Sequence, residues 1–162
     1  MGDAHSHQSL MRSLEMVIRS IHKLRSEATD GHLAIIENTV PSRYLVAPLH
    51  RHAREDEVSI VLSGTMGALL GDEVVAAGPG SYVMKPRGQW HAIWNAGDED
   101  LRIIELIVPG GFEECVERLA PMLNASVERS HEEMARIAAE YGIEFDFDGV
   151  RRLCDRFNLK PW

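Results

Sequence analysis

The sequence is poor in cysteine, in basic residues and in long apolar runs, and each shortage excludes a class of protein. Among 162 residues there are two cysteines, Cys115 and Cys154. They are too few for a disulfide framework and too far apart for a CxxC metal or redox motif. Seventeen Lys and Arg against 25 Asp and Glu give a formal net charge of −8, which is the wrong sign for binding nucleic acid or an anionic membrane.

No run of residues approaches the roughly 18 apolar residues of a membrane span. The first ten residues also lack the basic start and the apolar stretch of a secretory signal, so we expect a cytoplasmic protein. The overall content of 44% hydrophobic and 26% charged residues is typical of a globular domain. At this length a chain buries enough surface to form one core without disulfides.

The pattern changes twice along the chain and predicts three regions. Residues 1–31 are ambiguous, because some apolar residues follow a helical period whereas Val17–Leu24 suits an edge strand; we interpret this segment as a short helix running into a strand. Residues 32–109 consist of short apolar runs separated by Gly, Pro, Asn and Asp turns every 8–12 residues. That spacing is typical of an all-β sandwich or barrel.

Residues 110–162 predict three helices that pack on the outside of the β domain or on a partner subunit. The expected helices are Phe112–Leu123, His131–Tyr141 and Asp148–Phe157, each with one apolar stripe. Ser130 and Asp148 are the expected N-caps of the second and third helices.

Two histidine-containing segments carry the chemistry. His50 and His52 lie two residues apart, so on a strand both imidazoles point to one face. Glu57 opens the next predicted strand, and His91 follows a turn containing Pro86 and Gly88. Three neutral imidazoles and one carboxylate suit a single divalent first-row metal ion with two positions left open.

Two neighbouring carboxylates, Glu55 and Asp56, compete with Glu57 for the ligand position. As a charged run they are most simply a solvated turn, whereas Glu57 shares strand parity with Ser59 and Val61. Gly64 also lies at the right distance from Glu57, which is therefore the predicted ligand.

Both segments resemble the paired motifs of the cupin superfamily in every position. The first contains HxH, four residues, Glu57, six residues and Gly64; the second contains Gly80, five residues, Pro86, one residue, Gly88, two residues, His91, three residues and Asn95. The resemblance covers roughly 33–109 and implies a mainly β fold, the double-stranded β-helix or jelly roll, with a C-terminal helical tail. It also implies a metal bound inside the barrel by His50, His52, Glu57 and His91. The chain looks like a small single-domain cupin of the quercetin-dioxygenase-like group.

Strand alternation predicts a largely apolar substrate pocket beside this metal. Its predicted lining comprises Ser59, Val61, Met84, Gln89, Ile93, Ile35, Tyr44 and Leu106. Such a pocket fits an aromatic, flavonol-like, diketone or polyketide-like small molecule.

The sequence is compatible with three functions. In the first, which the resemblance implies, a dioxygenase binds its substrate to the metal while Glu57 takes a proton as the catalytic base. In the second, the ion acts only as a Lewis acid in an isomerase, lyase or cyclase. The third is a non-catalytic protein that binds a metal or a small molecule. The sequence does not select among Fe²⁺, Mn²⁺, Ni²⁺ and Zn²⁺, and similar cupins lead us to expect a homodimer, with the N-terminal segment as the exchanged element.

Overall fold

Within residues 18–124 and 131–161, which the computed structural model describes, ten strands form two antiparallel five-stranded sheets. The strands are β1 (Arg19–Leu24), β2 (Ala34–Val40), β3 (Leu49–His52), β4 (Asp56–Ser63), β5 (Met66–Leu70), β6 (Glu73–Ala77), β7 (Tyr82–Lys85), β8 (His91–Asn95), β9 (Leu101–Val108) and β10 (Ile143–Asp146). The first sheet has the order β1-β2-β9-β4-β7 and the second has the order β10-β3-β8-β5-β6. The predicted mainly β fold with a C-terminal helical tail is confirmed.

Alternation along the strands of the first sheet separates an inner face from an outer one. In β2 the residues Ala34, Ile36, Asn38 and Val40 are buried, while the residues between them are half-buried. In β4 the residues Glu57, Ser59 and Val61, and in β9 every second residue starting at Leu101, are buried in the same way. The period of two therefore fixes which side chains enter the barrel.

The turn after β4 requires glycine for two reasons. Gly64 has a φ of +81°, which side chains with a Cβ rarely adopt. A Cβ at this position would also lie 2.8 Å from the backbone oxygen of Asp100. The glycine that ends the first predicted motif thus allows two backbone segments to approach closely.

The C-terminal region contains three helices, as predicted, together with a strand that the sequence analysis missed. The helices are α1 (Phe112–Asn124), α2 (His131–Glu140) and α3 (Phe147–Phe157). Strand β10 lies between α2 and α3 and pairs with β3, placing Phe145 opposite His50. The helical tail therefore contributes directly to the second sheet.

Capping of α3 differs from the prediction by two residues. Asp146, and not Asp148, is the N-cap, and its side chain accepts a hydrogen bond from the backbone N–H of Gly149 at 2.8 Å. The expected cap Asp148 lies in the first helical turn, where its carboxylate still suits the helix dipole. The other predicted cap, Ser130, lies outside the described residues.

The core has two main parts, and the helices cover one of them. Leu119, Met134, Ile137 and Leu153 of the helices pack with Trp94 of β8, whose indole stacks on Phe157 with ring centroids 4.6 Å apart. A second apolar cluster fills one end of the barrel between the sheets.

At the N-terminus, the expected strand is present as β1, which pairs with β2 of the same chain and forms the edge of the first sheet. The expected helix before it falls outside the described residues.

Candidate metal centre and adjoining cavity

The four predicted ligands converge because two sheets bring them together from opposite sides. His50 on β3 and His91 on β8 are direct cross-strand neighbours in the second sheet, and their ring centroids are 4.3 Å apart. Glu57 reaches the same point from β4 of the first sheet. One ligand atom from each of His50, His52, Glu57 and His91 lies within 4.8 Å of the others, and all four residues are buried.

Each imidazole has an oxygen partner for Nδ1, which leaves its Nε2 for the centre. Nδ1 lies 2.7 Å from the backbone oxygen of Pro48 in His50 and 3.0 Å from that of Gln89 in His91. In His52 the partner is the carboxylate of Glu55, at 3.2 Å. These acceptors favour the tautomer that carries its proton on Nδ1, which is how metal-binding histidines are oriented.

The buried ring nitrogens test whether a metal fits this site. Within the described part of the chain, Nε2 of His52 and Nε2 of His91 are buried and have no hydrogen-bond partner. Leaving two such acceptors unpaired inside a protein is costly. A divalent first-row ion bound by these nitrogens, by His50 and by Glu57 would satisfy both, so the donor set fits the ion that the cupin resemblance implies.

Burial and neighbouring charges keep these ligands in the form that binds a metal. Burial lowers the pKa of His50 well below its ordinary value, and the nearby His91 and His52 lower it further. Burial alone would raise the pKa of Glu57, but Lys85, His52 and His91 outweigh it and hold that pKa well below the usual range. His50 is therefore neutral and Glu57 is ionised near neutral pH.

A buried ion pair adjoins the carboxylate ligand. The ammonium of Lys85 lies 3.1 Å from Oε2 of Glu57 and 2.6 Å from Oε2 of Glu105. Ser59 donates a hydrogen bond to Glu105 at 2.9 Å. Burial lowers the pKa of Lys85, but the two carboxylates more than reverse this and raise it, so the lysine is charged.

A cavity of about 310 Å³ opens next to the four ligands and is lined mostly by apolar side chains. Phe112, Val116 and Leu119 of α1 and Met134 of α2 line one side of it. Two rings flank the histidines: Phe112 lies against His52 with centroids 4.6 Å apart, and Phe145 lies 6.0 Å from His50. The C-terminal region thus covers the metal centre and supplies part of the cavity wall.

The structure places the eight predicted pocket residues in different environments. Ile93 lines the cavity. Ser59 is buried beside it on Glu105, and Val61 packs in the apolar end of the barrel. The backbone oxygen of Gln89 supports His91, and Tyr44 packs at the edge of the same apolar end.

Three of these predictions are wrong because they assign the inner face of the first sheet to the wrong strand parity. Met84, Ile35 and Leu106 lie on its outer face, where Met84 is 47% exposed. Ile35 and Leu106 belong to strands that carry apolar residues on both faces, and Met84 belongs to a strand whose buried face carries Lys85. Hydrophobicity therefore gave no reliable indication of direction.

Several residues that shape the site were missed. Glu55, interpreted from the sequence as part of a solvated turn, is only 4% exposed and holds His52. Lys85 and Glu105 were also missed, although strand alternation contains a signal for Glu105. It occupies the buried parity of β9 between Ile103 and Ile107, which is unusual for an acidic residue without a functional or structural partner.

Comparison with known proteins agrees with the fold. Residues 36–107 match the family described as Cupin domain. KdgF from Halomonas sp. is 19% identical over 64% of this chain and 88% of its own, with a TM-score of 0.54. A predicted oxalate decarboxylase from Thermotoga maritima is 25% identical over 57% of this chain and 80% of its own, with a TM-score of 0.54.

An uncharacterised conserved protein with a double-stranded β-helix domain from Klebsiella pneumoniae is 17% identical, covering 68% of this chain and 93% of its own, with a TM-score of 0.52. A comparison with curated proteins found no match. In addition, no helix among the described residues is long and apolar enough to cross a membrane. The family match is therefore to residues 36–107, and the solved structures share the fold, while the quercetin-dioxygenase-like group stays a prediction.

Proposed function

We propose that this protein is a metal-dependent cupin enzyme, and that it is a dioxygenase acting on an aromatic, flavonol-like, diketone or polyketide-like small molecule. The observation that supports this proposal is that a cluster of metal-binding side chains adjoins an apolar cavity. Four donors, including two unpaired buried Nε2 atoms, converge on one point. A mostly apolar cavity of about 310 Å³ begins at that point and matches the size range of small-molecule sites.

The chain would hold both the ion and the substrate with buried side chains whose orientations are fixed by their neighbours. His50, His52, Glu57 and His91 would bind the ion, and the oxygen partners of each Nδ1 would keep the imidazoles oriented. When bound, the ion would acidify a hydroxyl of the substrate and, if redox-active, supply the site for dioxygen chemistry. Glu57 is a weak base because Lys85 holds its pKa low, so it would accept a proton only from a hydroxyl acidified in this way. Phe112 and Phe145 would keep water from that side of the site.

A non-redox isomerase, lyase or cyclase is the second candidate, and the buried lysine favours it. Lys85 contacts both Glu57 and Glu105, and the three groups line the cavity. Burial and the charge of Glu57 raise the pKa of Glu105. An ammonium and a carboxyl group with a raised pKa, side by side at the substrate cavity, are suited to proton transfer between two atoms of a substrate.

One experiment separates these candidates. The protein is prepared with Fe²⁺ or with Zn²⁺, its metal content is measured, and flavonols, β-diketones and polyketides are tested with and without air. The dioxygenase proposal predicts product only with Fe²⁺ and air, at one oxygen consumed per product. Equal anaerobic turnover by the zinc form would replace it with the non-redox reaction. Glu57→Gln, compared with the exposed control Glu73→Gln, should abolish turnover in either case. Metal binding without turnover of any compound by the unsubstituted protein would favour a non-catalytic binding protein.

We also propose that two copies of the chain pack through the outer face of the first sheet. Tyr82, Met84 and Val108 on this face are 72%, 47% and 47% exposed, and Ile60 and Leu106 lie between them in the paired strands. A flat apolar face of this kind suits packing against a second identical sheet around a two-fold axis. This interface would take the place of the exchange of N-terminal segments expected from the sequence.

A further inference from the structure

A second polar group lies in the cavity, three strands away from the carboxylate ligand. In the first sheet, Ser59, Glu105, Ile36 and His22 are successive cross-strand partners on β4, β9, β2 and β1. His22 lines the cavity together with Ser20 and Asn38. With neighbouring strands about 4.8 Å apart, β1 lies roughly 14 Å from β4. The cavity therefore has a metal-binding end and a separate polar end, with apolar walls between them.

At this polar end one ring nitrogen has no partner. Among the described residues, Nδ1 of His22 is buried without a hydrogen bond. Its other nitrogen, Nε2, lies 3.7 Å from the carboxylate of Glu117, which Arg25 holds in its ionised form by donating hydrogen bonds to it. A carboxylate beside Nε2 favours the tautomer with its proton on Nε2, which makes Nδ1 a hydrogen-bond acceptor.

The neighbouring amide offers the complementary donor. Asn38 is only 7% exposed, and its Oδ1 accepts a hydrogen bond from Ser20 at 2.6 Å. This bond uses the amide oxygen, so the hydrogen-bonding group that Asn38 can offer to a ligand is the Nδ2 donor. Because Ser20 is the cross-strand partner of Asn38 and His22 is the partner of Ile36, His22 and Asn38 are diagonal neighbours on the inner face.

The geometry points to a hydroxyl-binding subsite formed by His22 and Asn38. A hydroxyl group can donate to Nδ1 of His22 while it accepts from Nδ2 of Asn38, and a carboxylate or an ammonium cannot do both. Resting on the proposed function, this inference narrows the substrate class. The substrate is a largely apolar molecule that presents oxygen donors to the metal at one end and a hydroxyl group at the other.

Two compounds that differ by one hydroxyl test the subsite. In 3-(4-hydroxyphenyl)propanoate the carboxylate and the hydroxyl lie at opposite ends, and 3-phenylpropanoate lacks only the hydroxyl. Their dissociation constants are measured by calorimetry with the zinc-loaded protein. Since two neutral hydrogen bonds are made, we expect the hydroxylated compound to bind roughly tenfold more tightly.

Substitutions of His22 and Asn38 test whether these two residues cause the preference for the hydroxylated compound. His22→Leu and, independently, Asn38→Leu should reduce it to about onefold while 3-phenylpropanoate binds as before. The exposed control His32→Leu should retain the full preference. Denaturation curves establish that the variants fold, and either of the two is sufficient for the test. Equal binding of the two compounds by the unsubstituted protein, a preference that survives both substitutions, or binding of neither compound would overturn the subsite.

Repeating the titrations on zinc-free protein separates this inference from the proposed function. Failure to bind zinc, combined with a hydroxyl preference that depends on His22, would contradict the proposed metal enzyme and support the hydroxyl-binding subsite. Tight zinc binding without any hydroxyl preference would do the reverse.

Discussion

The inner face of the first sheet is largely apolar and its outer face carries ion pairs of Glu37 with Lys23 and Arg102, yet each face holds an exception to the usual distribution of polar and apolar residues. Its inner face carries Glu57, Ser59, Lys85 and Glu105, all of them buried. Part of its outer face carries exposed apolar side chains, of which Tyr82 is the most exposed. In an ordinary antiparallel sheet the buried face is apolar and the solvated face is polar.

The buried polar cluster and the exposed apolar patch indicate that neither face serves stability alone. Buried charges require partners, and here every one of them lies within contact distance of another member of the group or of the histidines. The exposed apolar residues require cover from outside the chain. The proposed chemistry would account for the polar cluster of the inner face, and the proposed association would account for the exposed apolar patch of the outer face. Substitutions on each face can break or sharpen this contrast.

The largest effect is expected for the inner-face lysine. Lys85→Met leaves Glu57 and Glu105 buried beside each other without a cation, so the free energy of unfolding of the metal-free protein should fall by about 3–5 kcal/mol. Urea denaturation measures it. Adding Glu105→Gln should recover part of the loss, whereas the exposed control Lys23→Met should cost less than about 1 kcal/mol. A Lys85→Met protein of normal stability would show that the two carboxylates do not need the ammonium.

Next in size is the loss of a metal ligand. His91→Ala should weaken zinc binding by more than about 100-fold, because even the outer partners of metal ligands contribute 10–100-fold. Competition with a chelator measures the affinity. His32→Ala, which removes an exposed histidine, should leave it unchanged. Equal zinc affinity in both variants would mean that the ion binds elsewhere.

A smaller effect is expected for the acidic residue behind His52. Glu55→Ala removes the acceptor of the Nδ1 proton and should weaken zinc binding by about 10- to 100-fold, with Glu73→Ala as the control. The same competition assay applies. Should the affinity stay within twofold of the original, His52 is oriented by packing against Phe112 and not by Glu55.

Acidification should lower the stability of the metal-free protein through His50, which faces Glu57 from the second sheet. The pKa of His50 is lower in the folded chain than its ordinary value of 6.5. As the pH falls below about 6.5, the unfolded chain therefore takes up this proton first, and the free energy of unfolding decreases. Denaturation at about pH 7.5 and pH 5.5 should show a smaller decrease for His50→Gln than for His32→Gln. Identical pH dependence in both variants would contradict the assignment to His50.

A substitution on the outer face of the first sheet should have the smallest effect on folding but should abolish dimer formation. Met84→Glu should change the unfolding free energy of the folded chain by no more than about 0.5 kcal/mol, yet it should convert a dimer to a monomer in light-scattering measurements. Val74→Glu, an exposed apolar position on the second sheet, should leave the dimer intact. A dimer that survives Met84→Glu would place the interface elsewhere.

Sequence spacing was sufficient to predict the fold and to select four residues that the structure brings together. The turns and the period of two predicted the strands, and Glu57 was separated from Glu55 and Asp56 by strand parity and by its distance from Gly64. Strand parity did not predict the buried face where both faces are apolar, as at Ile35. It also failed in β7, where Lys85 is buried and the apolar Met84 is exposed. Strand β10 was missed because four residues between two helices carry no local signal for pairing with β3.

The sequence by itself determined which residues share a strand face, since alternation is a local property of the backbone. Only the tertiary structure decided what that face meets: a lysine that joins Glu57 to Glu105, a glutamate that orients His52, and helices that cover the cavity. Those contacts link positions far apart in the chain, and their energies depend on burial and distance, which no spacing between residues encodes.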